Sequence, residues 1–437
     1  MRLHVLFVLL VAAASSIGMA ASSPAVSVMD VSAEFAVIVS NRAVPGLMGR
    51  RLEDGVLVAA GIAGVRVRGQ NTNALLAEDV MHYGSMFKVQ TATLGCILVD
   101  TNVLTWDVYL LDYVTASQKS AFVASDARWT NVTLRQLLSM SSGIVDADVP
   151  VDLEACYAYN TDPPAGRQYL ADALSHMPLA TKPGVAYSYS NSGYSMAGLI
   201  LEIAWQRFSG QTTTYEQLMQ QKLFGPLGVT SFTLGPPGIS STFATNLPAA
   251  NPSPVAIGHN LATNAPADGY ALGAPVGRGY IDADNPLLIA PAGTWAASMA
   301  DYTKLLMVQM QTNQTALLTS LGLTISTLID IRTPLTPLPF TNGFSFSLGW
   351  MVDNATTNHL LYNGSNSRWV SIVDARLDSQ VALIAACNQG GDATVQDALA
   401  VLQAVPEPGL MGLLLGIAAG CLRGPRARMR GRQTRQE

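Results

Sequence analysis

The chain has few of the features on which metal and cofactor sites are built. Its four cysteines, at 96, 156, 387 and 421, follow no zinc-binding or redox spacing, and no disulfide pairing is indicated. The sequence also contains no metal-ligand cluster, no phosphate-binding loop and no dinucleotide fingerprint. We therefore expect a protein that works without a metal and without a cofactor.

Charge is scarce as well. Charged residues make up 13% of the 437 residues, and the formal net charge is −5. Six arginines lie beyond residue 422, so the rest of the chain is more acidic than this total suggests. An acidic surface does not attract nucleic acid or anionic membranes, and no nucleic-acid partner is expected.

Residues 1–20 have the pattern of a secretory signal peptide. A short cationic start is followed by the apolar run VLFVLLVAAA and by small residues at 18–20 that suit a cleavage site. We therefore expect the chain to be exported.

The other end, residues 405–437, contains Pro406-Glu407-Pro408, the apolar run GLMGLLLGIAAGCL and then the six arginines. As a helix the run would cover only about 21 Å, against about 30 Å of hydrocarbon. The pattern resembles the PEP-CTERM sorting tail of bacteria. That resemblance implies an exosortase-type processing enzyme as partner, transient contact with the inner membrane, and a final location in the cell envelope, at the cell surface or in the extracellular matrix. An ordinary C-terminal membrane anchor is the alternative.

Between these ends, residues 33–403 are expected to form one domain with two subdomains, because hydrophobic residues are abundant (49%) and the length exceeds what one core usually organises. Alternating residues predict antiparallel strands over 55–68, 344–353, 368–376 and 380–388. Helical patterns cover 85–100, 133–141, 193–208, 214–223, 298–312 and 393–403, and Ser298 with Asp301 resembles a capping box. The order predicts a mixed α/β (α+β) fold. In it, an antiparallel sheet formed by both chain ends is flanked by helices, with a mostly helical subdomain inserted between them.

Ser85 and Lys88 form the first candidate catalytic pair. Lys88 is the only lysine with a serine three residues before it, and on a helix this spacing puts both side chains on one face. The flanking residues are apolar on more than one side, so the helix is expected to be internal, where a lysine must find a partner or lose its proton. This is a nucleophile beside its proton acceptor. The alternative is an N-cap serine with a solvated lysine.

Tyr189 and Asn191 form the second candidate pair. They lie in a polar loop before an apolar helix, GVAYSYSNSGYSMAGL, so the loop can present a phenol beside a carboxamide. Each residue alone has a simpler interpretation, half-buried packing for Tyr189 and a helix cap for Asn191. Together with Ser85 and Lys88, they supply the parts that a serine hydrolase without a catalytic histidine needs.

These motifs resemble the serine β-lactamase-like and penicillin-binding-protein-like hydrolases, most closely the class C β-lactamase and esterase branch. The resemblance extends over about residues 33–403 and includes TLRQLLSMSSGI at 133–144, PAGTWAASMADYTKLL at 291–306 and NGSNSRW at 363–369. It implies an active site in the groove between the sheet and the helical region.

The resemblance also implies roles for individual residues. Ser85 would attack a carbonyl, Lys88 and Tyr189 would share the proton transfer, and either of these two could be the base. Asn191 would hold polar groups on the acyl side. The backbone N–H groups of Ser85 and Ser365 would form the oxyanion hole.

The third motif departs from the family pattern. A strand beside the nucleophile usually carries Lys-Thr-Gly or His-x-Gly, whereas this chain has Tyr362-Asn363-Gly364. His359 is an unlikely substitute for the missing cation, since period-2 alternation points it to the opposite face of the sheet. Met140 stands where relatives commonly have histidine, and it is expected to be structural.

Without a cation at 362, β-lactamase and DD-peptidase activities are less favoured than esterase activity. The sequence therefore favours an exported serine hydrolase, an esterase or amidase, whose partner is a small-molecule acyl substrate. The alternative from another class is a surface or matrix protein that keeps the fold and binds a ligand or polymer with little turnover. The loops 145–170 and 235–290 are expected to determine specificity.

Overall fold

The computed structural model describes residues 27–146, 149–237, 256, 258–259, 284–310 and 315–406. The predicted signal peptide lies outside the described residues, and so does the predicted sorting tail from residue 407 onward. Most of the loop 235–290 lies outside them too.

The strands of the described residues are β1 (Met29–Asp30), β2 (Gly46–Glu53), β3 (Val56–Gly64), β4 (Val80–His82), β5 (Thr233–Leu234), β6 (Trp295–Ser298), β7 (Thr336–Pro337), β8 (Phe344–Phe346), β9 (Met351–Asp353), β10 (His359–Ser365), β11 (Val370–Arg376) and β12 (Val381–Cys387). They form a nine-stranded sheet in the order β1-β3-β2-β12-β11-β10-β9-β8-β7 and a three-stranded sheet in the order β4-β6-β5.

Both ends of the chain meet in the larger sheet. Strand β2 pairs antiparallel with β3 on one side and with β12 on the other, so Gly49 lies opposite both Gly61 and Ala385. Strand β10 pairs with β11 along its whole length. The predicted mixed α/β fold, with both chain ends in one antiparallel sheet, is confirmed; among the strands of the described residues, β1 and β3 are the pair that runs parallel.

The helices are α1 (Ser32–Arg42), α2 (Lys88–Asp100), α3 (Ala116–Ser125), α4 (Leu134–Leu138), α5 (Leu153–Ala158), α6 (Pro163–Ser175), α7 (Asn191–Ser209), α8 (Tyr215–Met219), α9 (Met299–Met310), α10 (Thr315–Leu321), α11 (Ile325–Asp330) and α12 (Ala393–Gln403). Helices α1 and α12 pack on one face of the large sheet, where Phe35 and Leu402 join a core with Leu47 and Leu383. The opposite face packs against the larger core, to which α2 and α7 contribute.

Helix α2 is buried from Lys88 to Leu98 on every side, which confirms the predicted internal helix. A helix that is apolar on every side loses hydrophobic stabilisation if one side faces water. The apolar composition of α2 therefore favours its position inside the larger core. The first residue of this helix is therefore held in a rigid environment.

Two sequence predictions were wrong in detail. The strand predicted over 344–353 is divided into β8 and β9 by a turn in which Gly349 has a φ of 97° and its backbone lies against Val89. Strand β2 was not predicted, because GLMGRRLE does not alternate. Its Arg51 is buried and donates hydrogen bonds to the carbonyls of Leu402 and Gln403.

The capping box predicted at Ser298 is half formed. The Asp301 N–H donates to Ser298 Oγ (3.2 Å), as predicted for the start of α9. The Asp301 carboxylate does not return to Ser298, since it accepts from the backbone N–H groups of Thr230 and Ser231. The carboxylate therefore ties α9 to the segment before β5 instead of closing a local box.

Candidate active site

The candidate nucleophile lies in a tight turn at the start of α2. Ser85 belongs to a 3₁₀ turn, Gly84–Phe87, and Lys88 is the first residue of α2. Gly84 has a φ of 53°, which glycine adopts at little cost. The structure brings Lys88 Nζ to 2.9 Å from Ser85 Oγ. The predicted pair is thus formed, through a 3₁₀ turn rather than a uniform α-helix.

Lys88 is fully buried, and four oxygen atoms surround its amine. Nζ lies 2.9 Å from Ser85 Oγ, 2.8 Å from Tyr189 Oη, 2.8 Å from Asn191 Oδ1 and 2.6 Å from the Ala292 carbonyl oxygen. An ammonium group has only three N–H donors, so it cannot serve all four oxygens. The alternative of a solvated lysine is therefore wrong.

Burial lowers the pKa of Lys88 below its ordinary value of 10.5. Tyr189 and the more distant carboxylate of Asp146 oppose this effect, because negative charge on them favours the ammonium form. The net decrease raises the population of the neutral amine, which is the form that can accept a proton.

Tyr189 completes a triangle with Ser85 and Lys88. Its hydroxyl lies 2.5 Å from Ser85 Oγ, and the Lys88 amine lies 4.8 Å from the centre of its ring. Tyr189 is 39% exposed, so its ring forms part of the cleft wall rather than of the core.

The helix cap at the start of α7 is Ser190 and not Asn191. Ser190 Oγ accepts from the Gly193 N–H at 2.8 Å. The Asn191 carboxamide is therefore free to accept a hydrogen bond from Lys88, and the simpler interpretation of Asn191 as a cap is wrong.

Asp146 is a site residue that the sequence did not reveal. Its carboxylate accepts from the Ser190 hydroxyl (2.8 Å) and from the N–H groups of Asn191 (2.6 Å) and Ser192 (3.1 Å). A carboxylate at a helix N-terminus interacts favourably with the helix dipole. Asp146 thus holds the loop that carries Tyr189. In the sequence it is one of several aspartates in a polar segment, so nothing distinguished it.

Strand β10 runs beside the nucleophile turn with the two backbones in contact. A Cβ on Gly364 would lie 2.1 Å from the Tyr83 carbonyl oxygen, and a Cβ on Gly84 would lie 2.7 Å from Ser365 N. Only glycine fits at these two positions. The main chains of Ser85 and Ser365 are therefore neighbours, as an oxyanion hole between them requires, and that role stays a prediction.

Tyr362 lies on the buried face of β10 and lines the cleft with Ser85 and Tyr189. Burial raises its pKa well above the usual value, and the neighbouring Tyr189 adds to the effect. The Tyr362 hydroxyl lies near Tyr189, but it has no partner in hydrogen-bonding geometry among the described residues. Tyr362 therefore places a neutral phenol where the family resemblance leads us to expect a lysine or histidine.

His359 and Met140 behave as expected. His359 lies on the opposite face of β10 from Tyr362 and contacts Asp374 at 3.1 Å. Met140 is fully buried; its sulfur accepts from the Ser190 N–H at 3.2 Å and its carbonyl from the Ser188 N–H at 2.7 Å. Met140 is thus structural and supports the loop of Tyr189.

A buried His–Asp pair, which was not predicted from the sequence, supports the turn that carries Ser85. The Gly84 N–H donates to His82 Nδ1 (3.0 Å), and His82 Nε2 lies 2.9 Å from Asp284 Oδ2. Because Nδ1 accepts this bond, the ring proton is on Nε2 and points to Asp284. The pair joins segments 202 residues apart, so no local pattern could predict it.

Cysteines 96, 156 and 387 are buried and free. Among the described residues, no cluster of acidic, histidine or cysteine side chains could hold a metal ion, and no helix has the length and apolar character to cross a membrane. Of the predicted sorting motif, Pro406 is an exposed residue after α12, while Glu407 and Pro408 lie outside the described residues.

Comparison of the sequence with known families identifies one match along most of the chain. The Beta-lactamase family profile matches residues 32–405. Penicillin-binding protein 4 of Amycolatopsis lactamdurans is 30% identical over 171 residues, which are 38% of this chain and 39% of that protein. The match therefore spans about two fifths of that relative's length.

Solved structures share the fold at low sequence identity. An octameric penicillin-binding protein homologue from Pyrococcus abyssi is 20% identical with a TM-score of 0.63, over 86% of this chain and 77% of that one. A D-stereospecific amidohydrolase from Streptomyces sp. is 20% identical with a TM-score of 0.60, over 84% and 98% of the two chains. These similarities concern the fold alone. Because the family profile covers most of its length, the chain belongs to the beta-lactamase family of serine hydrolases and has its β-lactamase/transpeptidase-like fold.

Proposed function

We propose that the protein is a serine hydrolase that forms an acyl-enzyme on Ser85 and acts as an esterase or amidase on a small acyl substrate. The observation that carries the proposal is the arrangement around Lys88. Its buried amine contacts both the candidate nucleophile and the Tyr189 hydroxyl within 2.9 Å.

A neutral Lys88 satisfies all of its neighbours. Its two N–H groups go to Asn191 Oδ1 and the Ala292 carbonyl oxygen, which can only accept. Its lone pair accepts from the Tyr189 hydroxyl, and the Ser85 hydroxyl donates in turn to Tyr189 Oη, 2.5 Å away. The three groups then form a proton relay from the nucleophile to the amine.

Acylation follows from this relay. Ser85 Oγ forms a bond to the substrate carbonyl carbon while its proton passes to Tyr189, whose proton passes to Lys88. The negative charge on the carbonyl oxygen is stabilised by the N–H groups of Ser85 and Ser365. When the carbonyl re-forms, the bond to the alcohol or amine breaks, and the leaving group takes the proton back from Tyr189.

Deacylation uses the same groups with water as the nucleophile. Water gives its proton to the relay and attacks the acyl carbon, and Ser85 Oγ leaves with a proton from Tyr189. The acid is released and the relay returns to its initial state, so the cycle consumes one water and no cofactor.

The phenol at position 362 favours esters and simple amides over substrates with an anionic carboxylate. A buried Tyr362 offers no positive charge to such a group, unlike the lysine or histidine usual at this position. The related folds include penicillin-binding proteins and an amidohydrolase, which supports acyl transfer as the reaction class. The complete set of contacts at Lys88 argues against a ligand-binding protein that has lost turnover.

Covalent labelling tests the proposal. A fluorophosphonate is expected to add to Ser85, and peptide mass spectrometry locates the adduct. Ser85→Ala should abolish the label. Ser188→Ala removes a nearby hydroxyl that donates to the Ile144 carbonyl and not to the relay, so this variant should retain the label. Equal labelling of wild type and Ser85→Ala would contradict the assignment.

We also propose that the chain is exported and is processed at Pro406-Glu407-Pro408 by an exosortase-type enzyme, with only transient contact with the inner membrane. The support is the sequence pattern at both ends. Intact-mass measurement of protein from the native host is the test. A chain that still ends at Glu437, extracted only by detergent, would instead indicate an ordinary membrane anchor.

A further inference from the structure

Ser85 lies between two cavities of different character. One has a volume of about 420 Å³, and the other of about 220 Å³. Ser85, Tyr189 and Ser365 line both. A carbonyl carbon placed at Ser85 Oγ, with its oxygen at the backbone N–H groups, can therefore direct one substituent into each cavity.

The larger cavity has an aromatic wall. Phe340, Tyr187, Phe346 and Tyr362 form a connected series, with ring centres 5.8, 5.8 and 5.6 Å apart. Phe340 is 66% exposed at the rim, whereas Phe346 and Tyr362 are buried at the base. An apolar cavity of about 150 Å³ can hold a benzene ring, so this one has room for a ring and a short chain.

Among the residues that the structure describes, neither cavity is lined by a charged side chain. The remaining lining residues of the larger cavity are Met351 and Asn363, which are neutral too. An anionic group placed there would lose its hydration without gaining an ionic partner, which is costly. The larger cavity therefore suits an uncharged apolar group.

The smaller cavity is lined mainly by hydrogen-bonding side chains, among them Asn191, Asn285 and Thr294. Thr294 has a φ of 64°, an unusual conformation for a β-branched residue. Its buried hydroxyl has no hydrogen-bond partner among the described residues. Strained backbone of this kind is concentrated at functional sites, and the hydrogen-bonding side chains that line this cavity suit a small polar group.

The polar groups beside the two cavities distinguish the two substituents. The leaving oxygen or nitrogen must take a proton from Tyr189, which lines both cavities, and the larger cavity also has the Tyr362 phenol beside it. The smaller cavity is bordered by Asn191 and Ala292, whose oxygens are already engaged by Lys88.

We propose, on the basis of the function proposed above, that the substrate is an uncharged ester or amide. Its leaving alcohol or amine carries an aromatic or bulky apolar group, which binds between Phe340 and Tyr362. Its acyl part is short and polar, and it binds beside Thr294.

A set of four esters tests both halves of this proposal. Benzyl glycolate should be hydrolysed with a kcat/KM about tenfold higher than methyl glycolate, which lacks the ring, and than 4-carboxybenzyl glycolate, which adds a charge. Benzyl hexanoate should be poorer than benzyl glycolate, because its acyl chain is long and apolar. Preference for the carboxybenzyl ester would overturn the assignment of the larger cavity.

Variants then locate the two subsites. Phe340→Ala should remove most of the benzyl-over-methyl preference, chiefly through KM. Phe208→Ala is the matched control, because Phe208 is also well exposed (59%) but lies on α7 against Trp205, away from both cavities. Thr294→Val should reduce the glycolate-over-hexanoate preference, and Thr294→Ser should keep it. If Phe340→Ala instead changes the acyl preference, the orientation is reversed and the proposal is wrong.

Fluorophosphonate labelling distinguishes failure of the subsite assignment from failure of the hydrolase proposal. A protein labelled on Ser85 that shows no benzyl preference would disprove the subsite assignment and leave the hydrolase proposal intact. A protein that is not labelled on Ser85 and hydrolyses none of the four esters would disprove both.

Discussion

The two sides of the cleft differ in how completely their polar groups are hydrogen-bonded. Around Lys88, each neighbouring oxygen has at least one partner, and Asp146 holds the loop behind them. On β10, the buried Tyr362 hydroxyl has no partner among the described residues. A fully connected buried network fixes one geometry, whereas an unpaired buried hydroxyl costs about 1–3 kcal/mol. The comparison teaches that the groups around Lys88 are held in one geometry, whereas the β10 side presents a buried hydroxyl without a partner beside the larger cavity.

The largest effect is expected from breaking the network itself. Lys88→Met should lower kcat/KM for an activated ester by on the order of 10³-fold, because general base catalysis contributes about 10²–10⁴-fold and the Lys88 amine is the final proton acceptor of the proposed relay. Lys304→Met is the control, since Lys304 is partly exposed and bonds Asp301 far from Ser85. Circular dichroism checks folding. A Lys88→Met enzyme with a tenth of the wild-type rate would show that Lys88 is not the base.

A smaller effect, with a distinctive pH signature, is expected at Asp146. The rate needs neutral Lys88 and so falls as the pH decreases through the pKa of that amine, which burial places below 10.5. The negative charge of Asp146 raises this pKa, so Asp146→Asn should move the acidic limb of the kcat/KM profile to lower pH. Loss of the N-terminal contacts should also lower the rate about tenfold and stability by about 1 kcal/mol.

Asp126→Asn is the matched control for this prediction. Asp126 also accepts backbone hydrogen bonds at the start of a helical turn, from Arg128 and Leu179, but it does not act on Lys88. It should lower the melting temperature without moving the acidic limb. An unmoved limb in Asp146→Asn would mean that Asp146 acts only on stability.

On the other side of the cleft, substitution of Tyr362 should change selectivity and pH dependence by about tenfold, or about 1.4 kcal/mol. Tyr362→His introduces a group that titrates near neutral pH beside Tyr189, and it should raise ester turnover or alter its pH profile. Tyr362→Phe removes only the unpaired hydroxyl, so it should leave stability unchanged or slightly higher. Identical kinetics for the wild type, Tyr362→His and Tyr362→Phe would mean that Tyr362 contributes only to packing.

The smallest effect is expected three residues earlier on the same strand. His359→Ala removes a contact with Asp374 on the far face of β10, and Asp374 keeps its bond to Arg376. Activity should stay within about twofold, since partly exposed ion pairs contribute about 0–1 kcal/mol. A large loss of kcat/KM would mean that the two faces of β10 are coupled.

Much of this architecture could be predicted from the sequence, because local patterns carry it. The buried α2 follows from its apolar composition, and the Ser85–Lys88 contact follows from i, i+3 spacing. Strands β11 and β12 alternate or are continuously apolar, and they were found near the predicted limits of 368–376 and 380–388.

What could not be predicted depends on contacts between distant segments. Asp146 meets α7 from 45 residues away, and His82 meets Asp284 across 202 residues. Strand β2 was not predicted because its residues do not alternate. It is buried by its neighbours β3 and β12 on either side. Such features depend on the assembled fold, and a single sequence holds no local trace of them.

The contact between Gly84 and Gly364 has a consequence for directed evolution. It sets the spacing of the nucleophile and its neighbouring strand through main-chain atoms alone, with no room for a Cβ at either glycine. A combinatorial library should therefore keep positions 84 and 364 constant and randomise 187, 340, 346 and 351. Selection for new substrates can then vary the wall of the larger cavity, while the main-chain geometry around Ser85 stays unchanged.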